Sequence, residues 1–422
     1  MRRALAVLFL AFLALPSVAW PQGHRHGGSE TPIGPEFRVN SYLTADQRAV
    51  FVAGTLGYPT HRVVVWTSIE QDGSGLGVFG QVDGVGEFRV NTYTTGYQAA
   101  PSVAMAEGGN FVVVWASDQD GSESGVFGQR FTAGGAPLGP EFRVNTVTTE
   151  SQQQPRVAID ANGNFVVVWI SENQDGSGAG VFGQRYSPSG TPLGPEFRVN
   201  TFTTGFQYRP AVSAAGTPNN FVVVWQDGTV PGGGPQGRGV FGQRYSTAGV
   251  PLGPEFQAAS STTGFKGAPA IVVQPSGSYV VVWHSDGQDG SGLGIFGQRY
   301  GNDGSTFGPE FRVNAYTTGD QGFPTIATDG VGCFLIAWTG VDASGSGVFG
   351  QSYVFGDPTA EPQYRVNTFT AGNQARPSAG SLPSGTFVIA WESQGQDGSG
   401  YGIFGQIDNH FIPVELMTVG VE

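Results

Sequence analysis

The sequence predicts an all-β protein, a seven-bladed β-propeller with four antiparallel strands per blade. Three observations carry this. "EFRVN" begins at Glu36, Glu87, Glu141, Glu196 and Glu310, with degenerate copies at Glu255 ("EFQAA") and Gln363 ("QYRVN"). A tryptophan recurs at Trp66, Trp115, Trp169, Trp225, Trp283, Trp338 and Trp391. "FGQ" recurs with its phenylalanine at Phe79, Phe127, Phe182, Phe241, Phe296, Phe349 and Phe404. Each marker counts seven, and the aromatic residue of the first returns every 51 to 59 residues. Four short strands at a period near 50 make a propeller blade.

In chain order, "MRRALAVLFLAFLALPSVAW" comes first. Arg2 and Arg3 precede an apolar run, Ala4 to Leu15, and the small residues Ser17 and Ala19. This is the pattern of a cleaved export signal, and the run is too short for a membrane span. Residues 1–19 are expected as signal peptide, 20–33 as a flexible leader, 34–410 as the propeller and 411–422 as a tail. Secretion to the cell exterior or surface, without membrane insertion, follows as an expectation. Without Arg2 and Arg3, 18 basic residues face 33 acidic ones, which disfavours nucleic acid as a partner. With 68 Gly and 27 Pro among aromatic and β-branched runs, the composition suits short strands and tight turns. The lone Cys333 forms no internal disulfide and is expected buried in "CFLIAW".

Within a unit, the second repeat reads "PSVAM" (101–105), "NFVVVWAS" (110–117), "GVFGQRF" (125–131) and "EFRVN" (141–145), separated by turn-rich segments. "FVVVW" is apolar at every position, so both of its faces are covered, as between packed blades. The tryptophans and the FGQ phenylalanines are then core. No EFRVN follows the last FGQ, while a copy stands alone at 36–40. That segment is expected to supply the outer strand of blade 7 and remove an exposed edge. The tail "FIPVELMTVGVE" (411–422) is the rival closing strand.

"PSVAMAEGGNFVVVW" followed by a third strand and a turn resembles the sialidase-like, Asp-box type of propeller repeat, found also in secreted bacterial repeat proteins. The resemblance covers all seven units. In "SPSGTPL" (187–193) Ser187, Gly190 and Thr191 match the box, but its Asp and Trp are missing. The "PVEL" tail resembles C-terminal segments of some exported Gram-negative proteins. The resemblance implies a central cavity in which sialidases place arginines, a tyrosine and acidic groups. The repeated Arg38, Arg89, Arg143, Arg198, Arg312 and Arg365 fall on outer strands. They are expected to pair with strand neighbours such as Glu141 and Glu196, and no catalytic residue carries over.

The loops between strands two and three, "QDGSG", share a face with the inter-blade loops "TTGxQ". Asp-Gly and Gly-Ser-Gly suit a tight turn. Carboxylates among Gly and Ser also suit Ca²⁺. The candidate ligands are Asp118, Asp120 and Glu123, then Glu172 and Asp175, then Asp286 and Asp289, with Glu70, Asp72, Glu392 and Asp397 in the outer blades. None matches an EF-hand loop. Departures from the repeat are either neutral drift or the marks of a one-sided binding spot that a symmetric ring otherwise lacks. These are Arg238 in the long loop 226–239 and the only lysine, Lys266. Tyr97, Phe206, Tyr208, Phe265 and Phe323 nearby are candidates for stacking on sugars. The expectation is a monomeric exported binding or adhesion module for a glycan or a surface protein. The alternatives are a glycan-active hydrolase or lyase and a structural envelope protein.

Overall fold

The alternating strands and turns fold into seven antiparallel sheets in a computed structural model of the chain. It describes residues 31–57, 59–214, 220–228, 239–261, 264–342, 345–356 and 360–409. The expected signal peptide, most of the leader, Arg238 and the tail lie outside the described residues. Six sheets hold four strands in sequence order, and the seventh holds three such strands and adds a short pairing of Thr31–Pro32 with Asp408 and Asn409. The outer place in that sheet is taken by Phe37–Arg38, paired with Gly405 and Phe404. First strands of neighbouring blades touch around a closed cycle, blade 7 against blade 1, so they line the axis of a ring.

Blade 2 shows how residues make these elements. Its strands are Gln98–Met105, Phe111–Ser117, Gly125–Phe131 and Phe142–Arg143. The first begins three residues before the expected "PSVAM", because Gln98 and Ala99 pair with Ser117 and Ala116 ahead of a bulge. The outer strand keeps only two residues of EFRVN. Beyond them Val144 N still donates to Val126 O, but the Asn145 side-chain oxygen takes the next bond, from Val126 N (2.8 Å).

Every residue of Phe111–Ser117 is buried. The core is accordingly seven inter-blade clusters rather than one. Val63 and Val65 of blade 1 meet Val113 and Trp115 of blade 2, and Val64 and Trp66 meet Val388 and Ala390 of blade 7. The seven repeated tryptophans are all at most 1% exposed. Burying such a ring stabilises by roughly 2–3 kcal/mol, and seven equal interfaces share that gain. The Gly of FGQ is needed for close approach. A Cβ on Gly128 would lie 2.9 Å from the Phe142 ring, and one on Gly183 would lie 2.7 Å from Phe197. Thus the FGQ glycine makes room for the EFRVN phenylalanine laid across it.

Candidate functional site at the axial mouth

The repeated phrases close into one hydrogen-bond network, seen fully at blades 3 and 4. Asp175 Oδ1 accepts from Ser177 N (3.3 Å), shaping the turn, and its Oδ2 accepts from Asn200 Nδ2 (3.2 Å). Asn200 also accepts from Val181 N (2.7 Å) and donates to Gln207 Oε1 (3.1 Å) of the next blade. Gln174 Nε2 donates to Glu196 Oε1 (2.6 Å), whose Oε2 receives Thr146 N and Oγ1 (2.8 and 2.9 Å) from the preceding blade. QDGSG, EFRVN and TTGxQ are therefore the joinery between blades. Arg89 and Arg198, expected to pair with strand glutamates, instead donate to the carbonyls of Asn91 and Asn200. The glutamates are already occupied by Thr and Gln, so the guanidinium turns to backbone.

The expected metal ligands divide. Asp120 and Asp289 repeat the turn role of Asp175, accepting from Ser122 N and Ser291 N. Asp118 accepts from Tyr97 N (3.2 Å), and Asp286 is the exposed last residue of an otherwise buried strand. Glu123 and Glu172, from different loops, come together with Glu150, their oxygens within 4.8 Å of one another. Glu123 and Glu150 occupy positions where most units have glycine, and Glu150 holds a left-handed φ of 58°.

The expected binding residues are also dispersed. Tyr97 is exposed at the junction of blades 1 and 2. Phe206 and Tyr208 stack on each other at 5.4 Å. Lys266 is only 2% exposed, standing where the other units carry the joinery glutamine, and its Nζ donates to Gly264 O (3.1 Å). Phe323 is different, being 38% exposed on the axis, with Phe265 behind it against His284 (5.6 Å).

Phe323 belongs to a ring that the sequence analysis missed. Two residues after each joinery Gln (or Lys266), the first strand bulges and one residue adopts left-handed φ. These are Ala49, Ala100, Gln154, Arg209, Ala268, Phe323 and Arg376, with φ between 46° and 54°. They sit on the axis-lining strands at the QDGSG face. Arg209 of blade 4 and Arg376 of blade 7 both approach the Phe323 ring of blade 6, at 5.6 and 5.4 Å. Deeper, Arg156 of blade 3 reaches across to the Phe51 ring of blade 1 at 4.5 Å. Contacts between non-adjacent blades cross the axis, so these side chains fill the mouth of the central channel.

Among the described residues, Arg156, Arg209 and Arg376 make no ion pair. Their electrostatics show it. Burial, then the neighbouring Arg209, lowers Arg156 to about 10. Burial, then Arg376, lowers Arg209. On the blade 7 side stands Glu392, 1% exposed, accepting from Ala49 N (2.8 Å), with Arg48 Nη1 at 3.8 Å. Burial pushes its carboxyl up, against the pull of the Ala49 amide and of Arg376 and Arg48. Two exposed guanidiniums, Arg209 and Arg376, and the deeper Arg156 thus converge at the mouth, with Glu392 drawn by Arg376, and each guanidinium carries the planar paired donors that suit a carboxylate or sulfate.

No family model matches the sequence, and neither does any curated protein. Solved structures do match the fold. An ulvan lyase, from a new polysaccharide lyase family, aligns at 11% identity with a TM-score of 0.53, over 89% of this chain and 95% of its own. A second polysaccharide lyase aligns at 10% identity and a TM-score of 0.50, over 92% and 94%. A protein of unknown function from Dyadobacter fermentans aligns at 12% identity and a TM-score of 0.50, over 75% and 95%. These are likenesses of fold. The signal for part of the mouth was in the sequence all the same: Arg209, Phe323 and Arg376 are unrepeated letters inside the repeated "TTGxQxxP", and Arg156 stands just after it.

Proposed function

We propose that this protein is an exported glycan-binding propeller whose ligand bears carboxylate or sulfate groups and seats them at the axial mouth. The observation that carries this is the convergence of Arg156, Arg209 and Arg376, none of which makes an ion pair among the described residues, although Arg376 also draws on the buried Glu392. The chain is acidic overall, with 33 Asp and Glu against 20 Lys and Arg, so this cationic spot is a local exception. The exposed ring of Phe323 beside the guanidiniums offers an apolar face of the kind sugars stack on. The fold neighbours add support: one ulvan lyase structure holds -[GlcA(1-4)Rha3S]-. The test is titration calorimetry with tetragalacturonate, a sulfated oligosaccharide and neutral maltotetraose. Binding of either anionic probe that weakens with salt, and none of maltotetraose, is expected. Equal binding of the neutral sugar contradicts it.

A glycan-cleaving enzyme is the second reading, favoured by the buried Glu392 and the imidazole of His284 beside the same guanidiniums. Release of new reducing ends from a bound polymer distinguishes cleavage from binding alone.

A further inference from the structure

The residue that follows each core tryptophan has a recurring task. Thr67 Oγ1 accepts from the left-handed Ala100 N of the next blade (3.2 Å), and Gln226 Oε1 accepts from Ala268 N (3.4 Å). Thr339 Oγ1 accepts from Arg376 N (2.8 Å), and Glu392 Oε1 from Ala49 N (2.8 Å). Blades 2 and 3 place Ala116 and Ile170 there, so the fold also accepts an apolar residue. His284 of blade 5 does neither. It is 3% exposed, and neither Nδ1 nor Nε2 has a hydrogen-bond partner. Most buried polar atoms are paired, so an imidazole with both nitrogens unpaired beside the mouth calls for an explanation.

The surroundings of His284 point the same way. The Phe323 ring meets the imidazole edge-on at 5.9 Å and 80°. Phe323 is itself exposed at the mouth, where it touches Arg209 and Arg376. It is a side chain that can turn without disturbing the inter-blade core. Burial, then Arg209, lowers the imidazole to about 4, so at neutral pH it carries one N–H donor and one free acceptor. A sugar hydroxyl, which both donates and accepts, matches that pair.

We propose that His284 is a ligand-reading residue of the axial site, hydrogen-bonding a hydroxyl of the bound sugar once the Phe323 ring turns aside. This rests on the anion-receptor reading of the mouth, since the guanidiniums bring the sugar to it.

The test uses the full protein and tetragalacturonate. Substitutions H284T and F323A copy residues found at the same positions in other blades, so both are compatible with the fold. H284T is expected to weaken binding about tenfold while leaving the salt dependence unchanged. R209A is expected to reduce the salt dependence. Diethyl pyrocarbonate, which modifies neutral imidazole, reports whether Phe323 covers His284. Modification at His284 is expected at least tenfold faster in F323A than in wild type, and slowed again by tetragalacturonate. Salt-dependent binding that H284T leaves unchanged overturns this role alone, as does an unchanged modification rate in F323A. Absence of salt-dependent binding in the wild type overturns the anion reading, and this role with it.

Discussion

At the scale of residues, the mouth works against folding. Arg156 is held at about 10 because burial and Arg209 disfavour its charge. A depression of that size corresponds to an unfavourable interaction on the order of 1–3 kcal/mol after screening. R156M, similar in length and uncharged, is therefore expected to raise the thermal midpoint while weakening anion binding, a trade common to binding residues. Differential scanning calorimetry paired with titration checks both signs. His284 adds a pH dependence. Its folded value of about 4 lies below the ordinary 6.5, so between these the unfolded chain takes a proton that the native state refuses. Stability is expected to fall as pH drops from 6.5 towards 4, by on the order of 3 kcal/mol at most, with no further loss from this group below 4. In H284T that part of a denaturant-derived stability profile should flatten. Phe323 was legible as an aromatic in an entry loop, but Arg156, Arg209, Arg376 and His284 were not legible from residue type, because each stands at a position that most other blades fill differently. They become legible only when the unrepeated letters are read against the repeat.

At the scale of elements, the sequence analysis read QDGSG well as a turn but missed its joinery. Asx turns are local, and Asp-Gly announces them. The Gln174–Glu196–Thr146 link spans two blades, and no local pattern shows it. The same limit explains the arginine pairing and the surface role expected of Lys266. Both follow from partners brought together by the ring. The loops of blades 2 and 3 carry a testable cost. Glu150 occupies a left-handed position where most other units place glycine, beside Glu123 and Glu172. E150G is expected to stabilise the protein by about 1–2 kcal/mol, from relief of the backbone strain and of like-charge repulsion. A shifted midpoint in urea would show it, and an unchanged or lower one would mean the three carboxylates are compensated in solution.

At the scale of the whole molecule, three markers, each occurring seven times, make the ring readable from the sequence. Repetition turns a topology problem into counting, and all-apolar second strands demand covered faces. The segment 36–41 joins the two ends of the chain. Phe37 and Arg38 pair with blade 7, Glu36 receives Thr368, and Ser41 donates to Glu87 of blade 1. Deleting residues 1–41 removes several such bonds, each worth about 1 kcal/mol, and bares an edge on blade 7. That deletion is expected to lower the thermal midpoint and increase aggregation, whereas deletion of 1–30 leaves both near wild type. The ring also sets where function sits. Six blade joints repeat the seventh, but the axis is the place where all blades meet, and there the unrepeated Arg156, Arg209, Phe323 and Arg376 gather. The most direct measurement is the affinity of the wild type and of R209A/R376A for tetragalacturonate and a sulfated oligosaccharide across a salt series. The mouth as an anion receptor predicts salt-sensitive binding to one of these probes that the double substitution reduces at least tenfold and makes nearly insensitive to salt. Binding that survives the double substitution unchanged would contradict it.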